Sequence, residues 1–380
     1  MSLPREEEQQ LLPKIGWKEA LALIGPRRAG KSTLALRLLD AWHELGGEGK
    51  YVDLESFGAP SKVRDLVKEI STVPKGGLVV LDEAQALVGW VKAVRDEIEN
   101  GRRHVIVTGS SASLLSAEIS SALAGRAIPQ PILPLSFRDA LSWGLRSFDE
   151  YLKVGGYPEA VLRPSDAQSL HKVYFELAVL RDVAARQGIR ETKALYDLGR
   201  LLLSEPGKAI SSARTSAALG ISQPTYRSFV QGLNDAFLIL SVPPFFRSPR
   251  QKLVADAKHY AYDTGMQKSV SISESDDRGR RVENAVALEL VRAGYSLSFL
   301  SGAKSECDFI AQKTGEKNLA VQVCSGEDVP EREIPGLEFG MKTAGASGLL
   351  LCESEAKVAG IPKGAECRTV QDWLMETRQQ

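Results

Sequence analysis

A chain of 380 residues with 43% hydrophobic and 25% charged residues has an ordinary globular make-up and the length for two or three domains. Its 48 Lys and Arg balance its 48 Asp and Glu, which excludes a global field for nucleic acid or anionic membrane and leaves such contacts to a local patch. No apolar run approaches membrane-spanning length, and the acidic start MSLPREEEQQ lacks an apolar signal region, so the expectation is a cytoplasmic protein with no membrane partner.

The first third alternates apolar runs with helical patterns. Residues 20–25, 50–54, 78–81 and 104–108 read as strands; 31–45, 62–71, 85–99 and 112–122 read as helices. This alternation implies an α/β fold, a parallel sheet covered on both faces. Continuous apolar runs such as LVVL and HVIV fit strands buried on both faces. A fifth run, 132–135, precedes Ser136, which can cap a helix through Trp143.

Between the first strand and helix lies GPRRAGKS, with the eight-residue spacing of a P-loop. Small residues let backbone N–H groups turn inward around a β-phosphate. Lys31 neutralises the β/γ-phosphate charge, the Ser32 hydroxyl ligates magnesium, and the helix start adds its positive end. The expected nucleotide contacts are Gly25, Pro26, Arg27, Arg28, Ala29, Gly30, Lys31, Ser32 and Thr33. The expected ligands are ATP or ADP with Mg2+. The strand LVVLDE ends in two acids: Asp82 to hold magnesium, directly or through water, and Glu83 to polarise the attacking water. A third strand, HVIVTGSS, ends in Thr108, Ser110 and Ser111. Of these Ser110 is favoured over Thr108 as the hydroxyl that senses the γ-phosphate. Arg126, in LAGR, can stabilise transition-state charge in its own subunit or in a neighbour's.

From about residue 136 to 203 the pattern is mostly helical, with an amphipathic segment over 165–186. In SAALGISQPTYRSFVQGL a tight turn at Leu219-Gly220-Ile221 leads to Ser222, which can cap the next helix. That helix turns Phe229, Val230 and Leu233 inward and Gln223, Thr225, Arg227 and Gln231 outward, as in a helix–turn–helix that reads a major groove. FLILSV and PPFFRSPRQK can form a wing carrying Arg247, Arg250 and Lys252 to phosphates.

The tail holds Glu283 on a helix, Asp308 in ECDFIA, and Gln322-Val323-Cys324 on the next strand. This order follows the PD-(D/E)xK nuclease pattern, whose acids hold magnesium and whose lysine orients water or stabilises charge. Glu283, Asp308 and Gln322, through its carbonyl, form the candidate metal set. Cys324 stands where the lysine belongs, and Lys304 is the candidate substitute. The four cysteines, Cys307, Cys324, Cys352 and Cys367, contain no CxxC pair and read as buried thiols. His43, His104, His171 and His259 are scattered, so no zinc site is expected.

The strings GPRRAGKST, YVDLE, LDEAQ, TGSSASLL, LAGR, PLSFRDAL and GGYPEA resemble an archaeal and bacterial group of AAA+-like P-loop ATPases. In that group a winged helix and a PD-(D/E)xK nuclease-like domain follow the ATPase. The likeness covers nearly the whole chain and is most specific in the first 160 residues. It implies four segments: 1–135, the P-loop ATPase core; 136–192, a helical lid; 193–262, a winged-helix domain; and 263–380, a small α/β nuclease-like domain. It brings Gln85 into the acidic motif, to orient water or sense the γ-phosphate, and puts Arg126 near the nucleotide or a subunit boundary. AAA+-like ATPases often form rings, which leaves a homo-oligomer open. The expected function is Mg-dependent ATP hydrolysis coupled to DNA or a partner protein. The alternatives are an ATP-gated metal-dependent DNA nuclease and an ATP-switched DNA-binding or signalling protein with a degenerate nuclease domain kept for binding or assembly.

Overall fold

A computed structural model describes residues 3–110, 123, 125–245, 255–273, 277–303, 305–326, 333–354 and 360–376, without the Ser110 side chain. The chain forms two compact units, residues 1–134 with 235–237, and residues 135–234 with 238–380.

In the first unit a short α1 (Glu6–Leu11) precedes the apolar run ALALIG, which forms β1 (Ala20–Gly25), buried at every position. The chain then alternates: α2 (Lys31–Glu44), β2 (Gly49–Asp53), α3 (Val63–Ser71), β3 (Leu78–Asp82), α4 (Trp90–Glu99), β4 (His104–Ser110) and β5 (Ala127–Pro131). The strands make one parallel sheet in the order β2-β3-β4-β1-β5. Strand alternation divides the core between its two faces. Ala22, Ile24, Val79, Leu81, Val105 and Val107 pack with Leu66 and Ile70 of α3 and Trp90 and Val94 of α4. Leu21, Leu23, Leu78, Val80 and Ile106 pack with Leu34 and Leu38 of α2. Each fully buried leucine or isoleucine contributes about 1.5–3 kcal/mol, so the apolar stripe of each helix selects its face.

The fifth strand lies earlier than the apolar run suggests. AIPQP forms β5, while Ile132 and Leu133 are buried residues outside any strand. The edge position explains this. β5 pairs only with β1, so Pro129 and Pro131 remove no donor from a second neighbour. The segment expected as a helix over 112–122, and Ser111 before it, lie outside the described residues.

The second unit opens with α5 (Phe137–Ser142), whose first turn is capped by Ser136 accepting from Asp139 N at 3.0 Å. Then come α6 (Phe148–Val154), α7 (Pro158–Leu162) and α8 (Ala167–Leu177). The expected single amphipathic helix continues beyond α8 with π geometry over Ala178–Ala185. α9 (Thr192–Ser204), α10 (Ser212–Ala218) and α11 (Gln223–Asp235) lead to an antiparallel pair, β6 (Ile239–Val242) and β7 (Lys258–Ala261). Gly220, at φ 66, makes the turn between α10 and α11, and Ser222 accepts from Thr225 N at 3.2 Å. On α11, Tyr226, Phe229 and Leu233 are buried, Gln223, Arg227 and Gln231 are exposed, and Val230 and Thr225 are half-buried. Arg247, Arg250 and Lys252 lie outside the described residues.

α12 (Thr264–Val270) and α13 (Arg278–Arg292) introduce a second five-stranded sheet. Its strands are β8 (Ser296–Ser301), β9 (Glu306–Gln312), β10 (Leu319–Cys324), β11 (Ser347–Cys352) and β12 (Ala365–Thr369). β8, β9 and β10 run antiparallel, whereas β10, β11 and β12 are parallel, with α14 (Glu333–Ala344) crossing from β10 to β11. Short α15 (Val370–Met375) follows. Cys324 and Cys352 end their strands side by side, and all four cysteines are free thiols, three of them buried.

A buried acid ties these layers. Asp263 accepts from Gly156 N at 2.6 Å and Met266 N at 2.7 Å, and its Oδ1 lies 3.5 Å from His171 Nε2. His259, on β7, is 3% exposed, and burial lowers its pKa to about 4 although Asp256 opposes the shift. A histidine held neutral in the folded state stabilises fully above its unfolded value, near 6.5, and loses that contribution as pH falls toward 4. Acidification from about pH 7 to pH 5 is therefore expected to cost roughly 2 kcal/mol through His259 alone. Denaturant melts of wild type and His259→Gln at both pH values check this: the variant's pH dependence should be flatter by that amount.

Candidate functional site

The loop after β1 is shaped by backbone demands that few residues meet. A Cβ at Gly25 would lie 2.0 Å from the Ile132 carbonyl oxygen, so only glycine fits. Arg28 at φ 69 and Gly30 at φ 92 are both left-handed, with Ala29 between them. Such alternation bends successive N–H groups toward one concave side, the geometry of an anion nest. Arg5 braces the loop from outside it: its guanidinium donates to Ala29 O at 2.7 Å and Leu133 O at 2.8 Å, and pairs with Glu7. Lys31 is buried, and its ammonium donates to Gly25 O at 3.1 Å and Pro26 O at 2.9 Å. Ser32 and Thr33 stand in the first turn of α2.

The acids arrive from β3, which is separated from β1 by β4 alone. At about 4.8 Å per strand, that puts the Asp82 backbone roughly 10 Å across the sheet from the level of the loop. Asp82 is 4% exposed. Its Oδ2 accepts from the Tyr51 hydroxyl at 2.5 Å, and its Oδ1 from the Thr108 hydroxyl. Burial, and then the bond to Asp82, push the Tyr51 hydroxyl far above its ordinary pKa, so it stays a donor. Thr108 also accepts from Glu83 N at 3.1 Å. Glu83 takes a left-handed conformation, φ 48, and its carboxylate accepts from the Gln85 side-chain amide. Among the described residues three non-glycines have positive φ, and two of them, Arg28 and Glu83, belong to this site. Strain of this kind, about 1–3 kcal/mol each, persists only where the surroundings impose it.

The sequence reading named Lys31, Ser32, Asp82, Glu83 and Gln85, and the strand ends collect them at one edge of the sheet. It passed over Arg5 and Tyr51, whose partners are 24 and 31 residues away. It ranked Thr108 below Ser110. Thr108 is the hydroxyl between the two acids, while Ser110 lies in register with Gly25 and its side chain is not among the described atoms. Arg126 calls for a correction. It precedes β5, whose first residue is level with Ala20 at the opposite end of β1, and its guanidinium pairs with Glu99 at 2.8 Å. Six strand steps put its backbone about 20 Å from that of Gly25, beyond the reach of an arginine side chain. Within its own chain Arg126 is not brought to the loop.

In the second unit Glu283 accepts from the Tyr260 hydroxyl at 2.6 Å, and Asp308 accepts from Val323 N at 2.9 Å. Burial raises the pKa of both carboxyls, and the charge of Glu283 raises that of Asp308 further. Gln322 is already engaged: its carbonyl accepts from Asp308 N at 3.4 Å and its amide donates to Glu333 at 2.5 Å. Glu283, Asp308 and Gln322 therefore do not converge as three free ligands, and among the described residues no group of three or more His, Cys, Asp or Glu could hold a metal ion. Lys304 lies outside the described residues. A different lysine reaches the acids. Lys258, 3% exposed on β7, pairs with Glu306 at 2.5 Å. Burial alone would lower its pKa, but Glu283, Glu306 and Asp308 outweigh burial and raise it. Lys258 and Glu333 stand outside the linear motif, and nothing in the local sequence marks them.

Thr108→Val keeps the shape but removes both the donor to Asp82 and the acceptor for Glu83 N. A loss of about 1–3 kcal/mol in the stability of the first unit is expected, read as a lower melting temperature that Thr108→Ser restores. A valine variant that melts like wild type would show that the hydroxyl does not anchor the acids.

Residues 18–141 match the AAA domain family, and residues 145–276 match the family described as Domain of unknown function (DUF8612). An uncharacterized protein of Haemophilus influenzae is 29% identical, over 87% of this chain and 88% of its own length. An uncharacterized protein of Methanocaldococcus jannaschii is 28% identical, over 89% of this chain and 81% of its own. Among solved structures, a Thermotoga maritima RuvB mutant aligns over 65% of this chain and 91% of its own at 16% identity, with a TM-score of 0.34. The part of the chain that carries the phosphate loop is thus similar to the AAA domain, and the part that follows is similar to a family known only as a domain.

Proposed function

We propose that this protein hydrolyses Mg-ATP at the loop from Gly25 to Ser32, and that hydrolysis is coupled to DNA or to a partner protein. The observation that carries the reading is the placing of two strained non-glycine residues, Arg28 in the loop after β1 and Glu83 after β3, at the same edge of the parallel sheet. The residues fit the ligand. The loop presents a left-handed nest and a buried lysine, and the hydroxyl of Ser32 and carboxylate of Asp82 are hard oxygen donors. Magnesium usually takes only one or two protein oxygens and completes its shell with phosphates and water. In this reading Lys31 neutralises the β/γ-phosphates, and Ser32 and Asp82 hold the metal. Glu83 accepts a proton from the attacking water, and Gln85 orients the Glu83 carboxylate. Arg126 is left with a role only toward a neighbouring subunit.

The coupling half of the proposal rests on α10 and α11. A glycine turn joins them, and Gln223, Arg227 and Gln231 stand exposed along one helix. Such a turn and exposed polar face support the reading of α11 as a recognition helix.

A second reading, ATP-gated cleavage of DNA in a nuclease-like second unit, draws on the pairing of buried Lys258 with Glu306, on the same strand as Asp308, and on the attraction of its charge to Glu283 and Asp308. It would show as magnesium-dependent cleavage of plasmid DNA that disappears in both Asp308→Ala and Lys258→Met. Wild-type protein that leaves DNA intact would reduce this unit to a binding module.

For the favoured reading, steady-state turnover and nucleotide binding give the test. Lys31→Ala and Asp82→Ala are expected to weaken ATP binding at least tenfold. Glu83→Gln is expected to bind ATP normally but turn over about 100- to 10,000-fold more slowly. Undiminished hydrolysis by Glu83→Gln would remove the residue from the mechanism. Duplex and single-stranded DNA should stimulate wild-type turnover, and this gain should fall in Arg227→Ala while basal turnover holds.

A further inference from the structure

The N-terminal segment reaches the loop after β1 through one buried side chain, Arg5, which is 6% exposed. Short α1 fixes where that side chain starts. Glu8 N donates to Arg5 O at 3.1 Å, Leu11 packs with Leu34 and Leu38 of α2, and the Glu8 carboxylate takes the Arg37 guanidinium of α2 at 2.5 Å. The Arg5 backbone is thus anchored to the helix that follows the loop. Its guanidinium is held as firmly. Nε and Nη2 each donate to one oxygen of Glu7 at 3.0 Å, which leaves Nη1 for Ala29 O at 2.7 Å and the second proton of Nη2 for Leu133 O at 2.8 Å. A planar fork gripped by a carboxylate on one edge cannot turn, so its other donors have a set direction.

Ala29 O belongs to the peptide that joins Ala29 to Gly30. That peptide is trans, so its C=O and its N–H point to opposite sides. Drawing the carbonyl outward to Arg5 therefore aims the Gly30 N–H inward, to the concave side between left-handed Arg28 and left-handed Gly30. Among the described residues that N–H has no acceptor, so it can serve an anion. Left to itself, this peptide would turn easily. Its rotation changes ψ of Ala29 and φ of Gly30, and a glycine resists a change of φ less than any other residue. A turned peptide would show a phosphate its carbonyl oxygen instead of its N–H. The cation on the carbonyl also polarises the amide and strengthens its N–H as a donor.

We propose that Arg5 is a positioning residue for phosphate binding: by clasping Ala29 O from outside the loop, it holds the Gly30 N–H toward the phosphates of the nucleotide. It acts through the backbone and touches no substrate. The inference rests on the reading of Gly25 to Ser32 as a phosphate site, and names what sets one of that site's donors. The bond to Leu133 O completes the clasp. Ile132 N, one residue earlier, donates to Ile24 O at 2.6 Å, so the Leu133 carbonyl is a fixed point beside the start of the loop.

Calorimetry with inorganic pyrophosphate, in the absence of magnesium, reads the loop without help from Asp82. The full-length wild type is compared with Lys31→Ala, with Arg5→Met joined to Glu7→Gln so that no carboxylate loses its partner, and with Arg5→Lys. Arg5→Lys keeps a charge opposite Glu7, and so the fold, but lacks the fork that spans both carbonyls. Ile70→Val, in the core on the other face of the sheet, controls for a general loss of stability. Pyrophosphate should bind about tenfold more weakly to the Arg5→Met variant, the worth of one aimed hydrogen bond, and about threefold more weakly to Arg5→Lys. Ile70→Val should bind as wild type does. In turnover the Arg5 variants should raise KM for ATP by similar factors and leave kcat nearly unchanged, because the donor holds the phosphates alike before and during reaction. Undiminished binding by both Arg5 variants, a loss shared by Ile70→Val, or a fall in kcat at constant KM overturns the inference and leaves the ATPase reading standing. Wild type that does not bind pyrophosphate, or binding untouched by Lys31→Ala, overturns both.

Discussion

The carboxylate of Asp82 is the point on which the arrangement of the first unit's strand ends depends. It ends β3, takes the Tyr51 hydroxyl from β2 and the Thr108 hydroxyl from β4, and so ties three neighbouring strand ends at one edge. A buried acid without such partners would be expensive. With them it is oriented before any ligand arrives. Thr108 extends the arrangement by accepting from Glu83 N, which helps to hold that residue in a backbone conformation it would otherwise avoid. The loop is braced from its far side by Arg5, which clasps the carbonyls of Ala29 and Leu133. Both halves of the site are thus set by bonds between strand ends and their flanking segments, and the apolar faces of the sheet supply the rigidity behind them.

The second unit concentrates its polar chemistry differently. Its carboxylates sit within a folded core: Asp263 is satisfied by two backbone donors and faces His171, and Glu283 and Asp308 share the charge of Lys258. An isolated acid pair in such surroundings would be driven to protonate. A lysine brought from β7 opposes that drive. Gln322 joins the Asp308 backbone to Glu333.

How much of this was legible follows from distance along the chain. GPRRAGKS is a contiguous signal, because a loop that wraps a phosphate takes its backbone from one short segment. LVVLDE is contiguous for a similar reason, since one buried strand carries its acids at its end. The capping of α5 by Ser136 and the turn at Gly220 were local enough to read directly. The apolar run at 132–135 misled because edge strands tolerate proline, and burial alone does not make a strand. Whether Arg126 could serve the loop of its own chain was not legible, because a residue near a strand in sequence can stand at either end of the sheet, and only the register with β1 decides which.

The sequence by itself determined the α/β alternation, the glycine-containing loop between β1 and α2, and the placing of Asp82 and Glu83 at the end of β3, since each is written in consecutive residues with a fixed backbone period. Only the tertiary structure decided that Thr108 and Tyr51 orient Asp82, that Arg126 lies away from the loop of its own chain, and that Lys258 pairs with Glu306. Each of these is set by strand order and register, which bring together side chains from segments that carry no local mark of one another.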